Sequence, residues 1–230
     1  MKRERFWVAL DVDTRDQAET VMKALPSHRD YKVGMQLFYR VGPSVIRQWV
    51  DQGFRIFLDL KLYDIPNTVA QAVRAVDGLG VELLTVHAFG GPAMLAAARQ
   101  EAGSVTLIAV TVVTSADQAT LSALGIGQSV SEQVLLLTKL ARDEGAGGVV
   151  VSGHELSTVA QAWPGARLVV PGIRFGQMPA DDQVRVIGPL EARRAGATDL
   201  VIGRAVTKAE DPRVAYAQLL SLWDNADNIK

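Results

Sequence analysis

Short apolar runs alternate with longer amphipathic stretches eight times along this chain, and no other feature restricts its possible folds as tightly. The runs cover 6–11, 31–34, 54–61, 81–87, 106–112, 148–152, 167–170 and 199–202. The stretches that follow them cover 14–25, 43–52, 66–79, 91–102, 129–144, 154–162, a looser segment 181–195, and 211–224. Strands alternating with helical patterns predict a parallel sheet, and eight such units in 230 residues predict a closed (β/α)8 TIM barrel, one α/β domain over 1–230. An open doubly wound sheet is the alternative, but no Gly-x-Gly-x-x-Gly follows the first strand. No linker, low-complexity segment or sequence repeat interrupts the series.

Composition supports one interior and removes several classes of partner. Apolar residues make up 48% of the chain, enough for one substantial core. The formal net charge is −1, and no long run of like charges occurs. Neither a nucleic-acid nor a membrane-surface footprint is expected, so the expected partner is a small molecule. Cysteine is absent, which removes disulfides, thiolate metal sites and cysteine nucleophiles and suits a reducing compartment. The basic start, 1–5, precedes an apolar stretch that already ends at Asp11, too short for a secretory signal. No apolar run reaches membrane-spanning length, and a soluble, cytoplasmic protein is expected.

In the third unit, residues 59–68 read Asp-Leu-Lys-Leu-Tyr-Asp-Ile-Pro-Asn-Thr. From Phe54 to Leu62 every even position is apolar while the odd ones carry Arg55, Phe57, Asp59 and Lys61. That period of two predicts a strand with Asp59 and Lys61 on one face. Pro66 suits the first turn of a helix that Asn67 and Thr68 continue, so 62–65 form a short loop that carries Asp64. Lys61 and Asp64 are three apart and would not share a face of an unbroken strand; the loop leaves Asp64 free to point elsewhere.

Inward side chains near the carboxyl ends of barrel strands face the active-site mouth. The conspicuous polar residues there are Asp11, Lys32, Asp59, Lys61, His87, Thr111, Ser152 and Arg204. Each has a plain reading open to it: Asp11 and Ser152 as helix caps, His87 as a hydrogen-bonded structural histidine, Thr111 as barrel filling. Two lysines and two aspartates crowded at one end are costly without a ligand or mutual pairing, which leaves a binding site and a structural ion-pair cluster as the alternatives. Strands seven and eight end in Val170-Pro171-Gly172-Ile173-Arg174 and Val201-Ile202-Gly203-Arg204. The loops after these strands are the usual phosphate site of this architecture, with glycine admitting close backbone approach and arginine supplying a forked, permanent cation. A phosphorylated substrate is expected; the alternative is that the glycines only turn the chain and the arginines lie on the surface. The polar loop 175–182, with Gly176, Pro179 and two acids, is the candidate lid.

Further motifs join these in order: Ala9-Leu10-Asp11, Lys32-Val33-Gly34-Met35, Val86-His87-Ala88, Ile108-Ala109-Val110-Thr111 with Thr114-Ser115, and Asp182-Gln183-Val184-Arg185. With the 57–68 element and the two Gly-containing strand ends, they resemble the bacterial-type orotidine 5′-monophosphate decarboxylase family nearly end to end. The Asp-x-Lys-x-x-Asp-Ile-Pro-Asn-Thr element is the most specific, and Gly-Arg and Asp-Gln gain weight from their order and spacing. Val170 and Gly188 stand where that family commonly has threonine, and Tyr63 where it more often has histidine; all three adjoin matched positions.

The resemblance implies cofactor-independent decarboxylation of orotidine 5′-monophosphate to uridine 5′-monophosphate in pyrimidine biosynthesis, with no metal. It implies that Lys61 protonates C6 as carbon dioxide leaves, that Asp59 and Lys32 belong to the same charged chain, and that Asp64 and Thr68 act in the neighbouring subunit's site of a homodimer. By the same likeness Asp11 and Lys32 hold the ribose hydroxyls, and Thr114 and Ser115 meet the base. Gln183, Gly203, Arg204 and Arg174 bind phosphate, with Pro171 beside them in the substrate site. Three rivals stay open: a metal-dependent sugar-phosphate decarboxylase or aldolase-like synthase on a related barrel, a Schiff-base aldolase using Lys61, and a noncatalytic phosphate-ligand binding barrel. The first resembles this chain less at the second strand, where such enzymes use an acidic metal ligand and Lys32 stands here.

Overall fold

The computed structural model describes residues 5–175 and 186–224. Its eight parallel strands are β1 (Arg5–Ala9), β2 (Asp30–Gly34), β3 (Arg55–Leu62), β4 (Leu83–His87), β5 (Thr106–Val110), β6 (Gly148–Val150), β7 (Arg167–Val170) and β8 (Asp199–Ile202). They pair in chain order, and β8 pairs with β1, so the sheet closes into a (β/α)8 barrel. The α-helices are α1 (Arg15–Ala24), α2 (Met35–Asp51), α3 (Pro66–Asp77), α4 (Gly91–Glu101), α5 (Gln118–Ala123), α6 (Val130–Asp143), α7 (Leu156–Ala162), α8 (Pro189–Arg194), α9 (Arg204–Thr207) and α10 (Pro212–Asp224).

Local chemistry explains several helix starts. Thr14 and Gln17 form a reciprocal capping box at α1, and Ser129 and Glu132 form one at α6. Pro66 sits in the first turn of α3, where a missing N–H costs nothing. Gly188 precedes α8 without a side-chain cap, although threonine at that point could supply one. Three elements go beyond the sequence expectation. Residues 35–41 are helical and join the expected 43–52 helix across a kink at Gly42, whose φ of 72° precedes Pro43. Helices α5 and α9 are short additions after β5 and β8.

Side-chain alternation along the strands builds two apolar layers. Trp7, Ala9, Phe57, Leu83, Ile108, Val169 and Val201 fill the barrel interior. Their sequence neighbours, among them Val8, Leu58, Leu84 and Val170, point outward into the larger core beneath the helices. Val170, one of the departures from the family pattern, is fully buried in that outer core. The amino-terminal end of the barrel is closed by charge. Arg5 bonds Asp30 at 3.1 Å and Glu82 at 3.0 Å, and Arg167 reaches Glu82 at 3.2 Å while also pairing with Asp199. Arg55 pairs with Asp30, and Trp7 Nε1 donates to Asp199 Oδ1 at 2.8 Å. Cations and acids alternate in this floor, so each buried charge has a partner. Among the described residues, no helix is long and apolar enough to cross a membrane.

Candidate active site

At the opposite, carboxyl end of the strands lies a cavity of about 540 Å³. Its apolar side is the barrel's own inner layer, with Ala9, Phe57, Val150, Val169 and Val201 as lining. Its polar side collects Asp11, Lys32, Asp59 and Lys61 from the first three strands and Pro171, Gly172, Arg174, Gly203 and Arg204 from the last two. Gly172 takes a φ of 75°, which suits glycine in the turn leaving β7. Thr114 and Ser152 also line the cavity.

The four charges form one chain. Lys32 Nζ lies 3.1 Å from Asp11 Oδ1 and 3.5 Å from Asp59 Oδ2, and Lys61 Nζ lies 2.7 Å from Asp59 Oδ1. Side-chain exposure falls from 60% at Asp11 to 9% at Lys32 and 15% at Asp59, then rises to 32% at Lys61. The central pair is therefore shielded from solvent, where screening is weak. Burial works against the Lys32 ammonium, but attraction to Asp59 and Asp11 outweighs it, and the lysine holds its proton above the ordinary lysine range. Burial also works against the Asp59 carboxylate; Lys32 and Lys61 outweigh that too and keep it below the usual carboxylate range.

Lys61 reaches this position through an irregular backbone. The β3–β4 register runs Phe57↔Leu83 and Leu58↔Leu84, then resumes at Leu62↔Val86, so β3 carries extra residues in a bulge. Lys61 lies in that bulge with a φ of 49°, uncommon for a residue with a side chain and costing on the order of 1–3 kcal/mol. Its N–H donates to Thr85 Oγ1 at 2.8 Å. Asp59 and Lys61 thus serve one cavity, as expected, but through a bulge and not through simple strand alternation.

Other expected site residues are placed elsewhere. Asp64 and Thr68 are exposed on the turn and helix start after β3 and do not line this chain's own cavity; Asp64 Oδ1 accepts from the Ile65 N–H at 2.7 Å. Ser115 is exposed and also outside the lining. Thr111 is fully buried and donates to the Val150 carbonyl at 2.9 Å, tying β5 to β6, in accord with its structural reading. His87 lies between Tyr63 and Phe89, at centroid distances of 5.8 and 6.1 Å, and not on the cavity wall. Burial, with Lys61 nearby, lowers its affinity for a proton. Ser152 is bonded to the buried Glu155, three residues on. Gln183 and all of the candidate lid except Phe175 lie outside the described residues. The flanks of that loop are fixed: Arg174 N–H donates to the Ile187 carbonyl at 3.0 Å, and Ile187 N–H to the Gly172 carbonyl at 3.3 Å.

Two contributors were not singled out from the sequence. Helix α9 brings Thr207 and the following Lys208 to the lining beside Arg204. The four-residue spacing of Arg204 and Lys208 was the available signal, since such residues share a helix face. Thr85 is the other, two residues before His87 and so on the same strand face. Among the described residues, no group of three or more His, Asp or Glu side chains converges as a metal site.

The family model described as "Orotidine 5′-phosphate decarboxylase / HUMPS family" matches residues 4–219. Orotidine 5′-phosphate decarboxylase of Halalkalibacterium halodurans is 42% identical over 227 residues, covering 94% of this chain and 97% of that protein. The enzyme of that name from Anaeromyxobacter sp. (strain K) is 46% identical over 215 residues, covering 92% of this chain and 95% of its own. The crystal structure of orotidine 5′-phosphate decarboxylase from Lactobacillus acidophilus superposes with a TM-score of 0.85 at 35% identity, covering 96% of this chain and 99% of that one.

Proposed function

The chain belongs to the orotidine 5′-phosphate decarboxylase / HUMPS family, and from that premise we propose that it converts orotidine 5′-monophosphate to uridine 5′-monophosphate and carbon dioxide without a cofactor, with Lys61 as proton donor to C6. The observation that carries this reading is the Asp11–Lys32–Asp59–Lys61 chain, which ends with the Lys61 ammonium 2.7 Å from Asp59 at the wall of a cavity that also holds Arg174 and Arg204. In the reaction the bond between C6 and the carboxyl carbon breaks, its electron pair stays on C6, and carbon dioxide leaves. A fixed ammonium beside C6 stabilises that charge as it develops and then transfers a proton to it; the neutral amine regains a proton from solvent. Asp59 keeps Lys61 oriented, and Lys32 keeps Asp59 ionised.

Phosphate binds at the other end of the cavity, to Arg174, Arg204, the Gly203 backbone and Gln183, with Pro171 and Gly172 shaping the turn. Asp11 and Lys32 take the ribose hydroxyls, and Thr114 and Ser115 the base. Contacts so far from C6 supply binding energy that orients the reacting carbon. We further assign one domain over 1–230, a cytoplasmic location and a homodimer in which Asp64 and Thr68 complete the neighbouring site. Their exposure supports this, as does that of Tyr63 at 63% and Ile65 at 67%, apolar surface that a partner would cover.

The test is a spectrophotometric assay of orotidylate consumption with and without EDTA. Turnover insensitive to EDTA is expected; activity that disappears with chelation would favour the metal-dependent rival. Lys61→Ala should lower turnover by more than about a thousandfold while the protein stays folded and still binds uridine 5′-monophosphate. Substantial residual turnover would exclude Lys61 as the donor.

A further inference from the structure

We propose that Thr85 is a positioning residue for this reaction: its hydroxyl holds the backbone of Lys61 and the carboxylate of Asp59 in one hydrogen-bonded ring, and so fixes where the Lys61 ammonium can stand. The inference rests on the decarboxylase reading and adds to it a residue from a fourth strand that does not itself line the cavity but bonds two residues that do.

Thr85 is fully buried on β4, on the inward face shared with Leu83 and His87. Its Oγ1 accepts from the Lys61 N–H at 2.8 Å and donates to Asp59 Oδ1 at 3.0 Å. The same Asp59 oxygen accepts from Lys61 Nζ at 2.7 Å. The path Thr85 Oγ1 to Asp59 Oδ1 to Lys61 Nζ, then back along the lysine to its own N–H, closes on itself. One hydroxyl therefore ties together both ends of the lysine.

The need for such a tie follows from the bulge. Where β3 and β4 lose register, between Leu58↔Leu84 and Leu62↔Val86, no regular ladder bond is available to the Lys61 N–H. A buried N–H without a partner is costly, and Lys61 also holds a φ of 49° that only surrounding contacts can maintain. Valine matches the shape of threonine but lacks the hydroxyl, so Thr85→Val would leave the Lys61 N–H and one Asp59 lone pair unsatisfied at once. The expected result is relaxation of the bulge and displacement of Nζ, with the phosphate and ribose contacts, which come from other strands, left in place.

The experiment compares wild type, Thr85→Val and Thr85→Ser in steady-state decarboxylation of orotidine 5′-monophosphate, with uridine 5′-monophosphate affinity measured by calorimetry. Thr85→Val is expected to lower kcat about 10- to 100-fold with KM and product affinity within about threefold of wild type, and Thr85→Ser to recover most of kcat. A purely structural role predicts loss of product binding in parallel with kcat. That pattern would overturn the inference, as would a Thr85→Val enzyme with wild-type kcat, or a serine variant no better than valine. Amide hydrogen exchange of Lys61 in the wild type tests the same contact without any substitution: protection is expected, and exchange at the rate of an exposed loop would refute it even if the valine variant does not fold. Wild-type protein that consumes no orotidylate would instead refute the decarboxylase reading itself.

Discussion

Asp59 accepts from Lys61 and Thr85 through one oxygen and faces Lys32 through the other, and that one carboxylate sets the electrostatics of the site. Its folded-state proton affinity is depressed, so the stability it contributes is present above the unfolded carboxylate pKa of about 3.9 and is lost as pH falls through the lower folded value. Lys32 has the opposite sign: its contribution is present below about 10.4 and is lost as pH rises through a folded value above that. Asp59→Asn should therefore reduce unfolding free energy by about 3 kcal/mol at pH 7, because it leaves two lysines with one acid fewer between them. The gap to wild type should hold from pH 7 down to about 4 and narrow below it. Denaturant titrations at pH 7, 5 and 3 check this, and a gap that is constant through pH 3 would count against it. At this scale the sequence was informative about identity: Asp59, Lys61, Lys32 and Asp11 were all named from strand ends, and all four meet. The φ of Lys61 and the part played by Thr85 were not legible, because they depend on the register between β3 and β4, which no stretch of either strand encodes alone.

Elements follow local chemistry closely where caps and turns decide them. Pro66 predicted the start of α3, and the capping residues at 129 and 132 belong to the helix read over 129–144. Short elements escaped detection for a physical reason: α5 and α9 span too few turns to produce a periodic apolar stripe, and α9 is held against the barrel by Val206, which is fully buried. Strand β6 illustrates how packing can demand a residue that pattern does not explain. A side-chain carbon at Gly148 would stand 2.0 Å from the carbonyl oxygen of Arg167 on β7, a backbone atom that cannot turn aside. Gly148→Ala should therefore cost about 2–3 kcal/mol, read as a lower denaturation midpoint with an unchanged slope. A variant within 0.5 kcal/mol of wild type, roughly the ordinary surface tolerance, would mean that β6 can move away from β7.

For the whole molecule, charge is divided between the two ends of one barrel. The amino-terminal floor joins Arg5, Arg55 and Arg167 to Asp30, Glu82 and Asp199 in pairs that leave each charge matched. At the carboxyl end, Lys61 is more exposed than its partner Asp59 and faces a cavity. The proposed dimer, with each site shared between two subunits, is open to a complementation test. Lys61→Ala and Asp64→Asn should each be nearly inactive alone. Once mixed and allowed to exchange subunits, half of the dimers carry one intact site, so activity should return to about a quarter of wild type. No recovery on mixing, despite exchange verified by native mass spectrometry, would place Asp64 in its own chain's site. The barrel was legible in the chain because eight repeats of period-two and period-3.6 patterning are local properties. The chain also determined which residues end the strands, and hence most of the cavity wall. The bulge at Lys61, the Thr85 contact, the cavity-facing Lys208 and the absence of Asp64 from the lining of its own chain's cavity emerge only in three dimensions. Each of these depends on how two segments distant in sequence meet, and the geometry of that meeting follows from strand register and closure of the sheet, not from either segment alone.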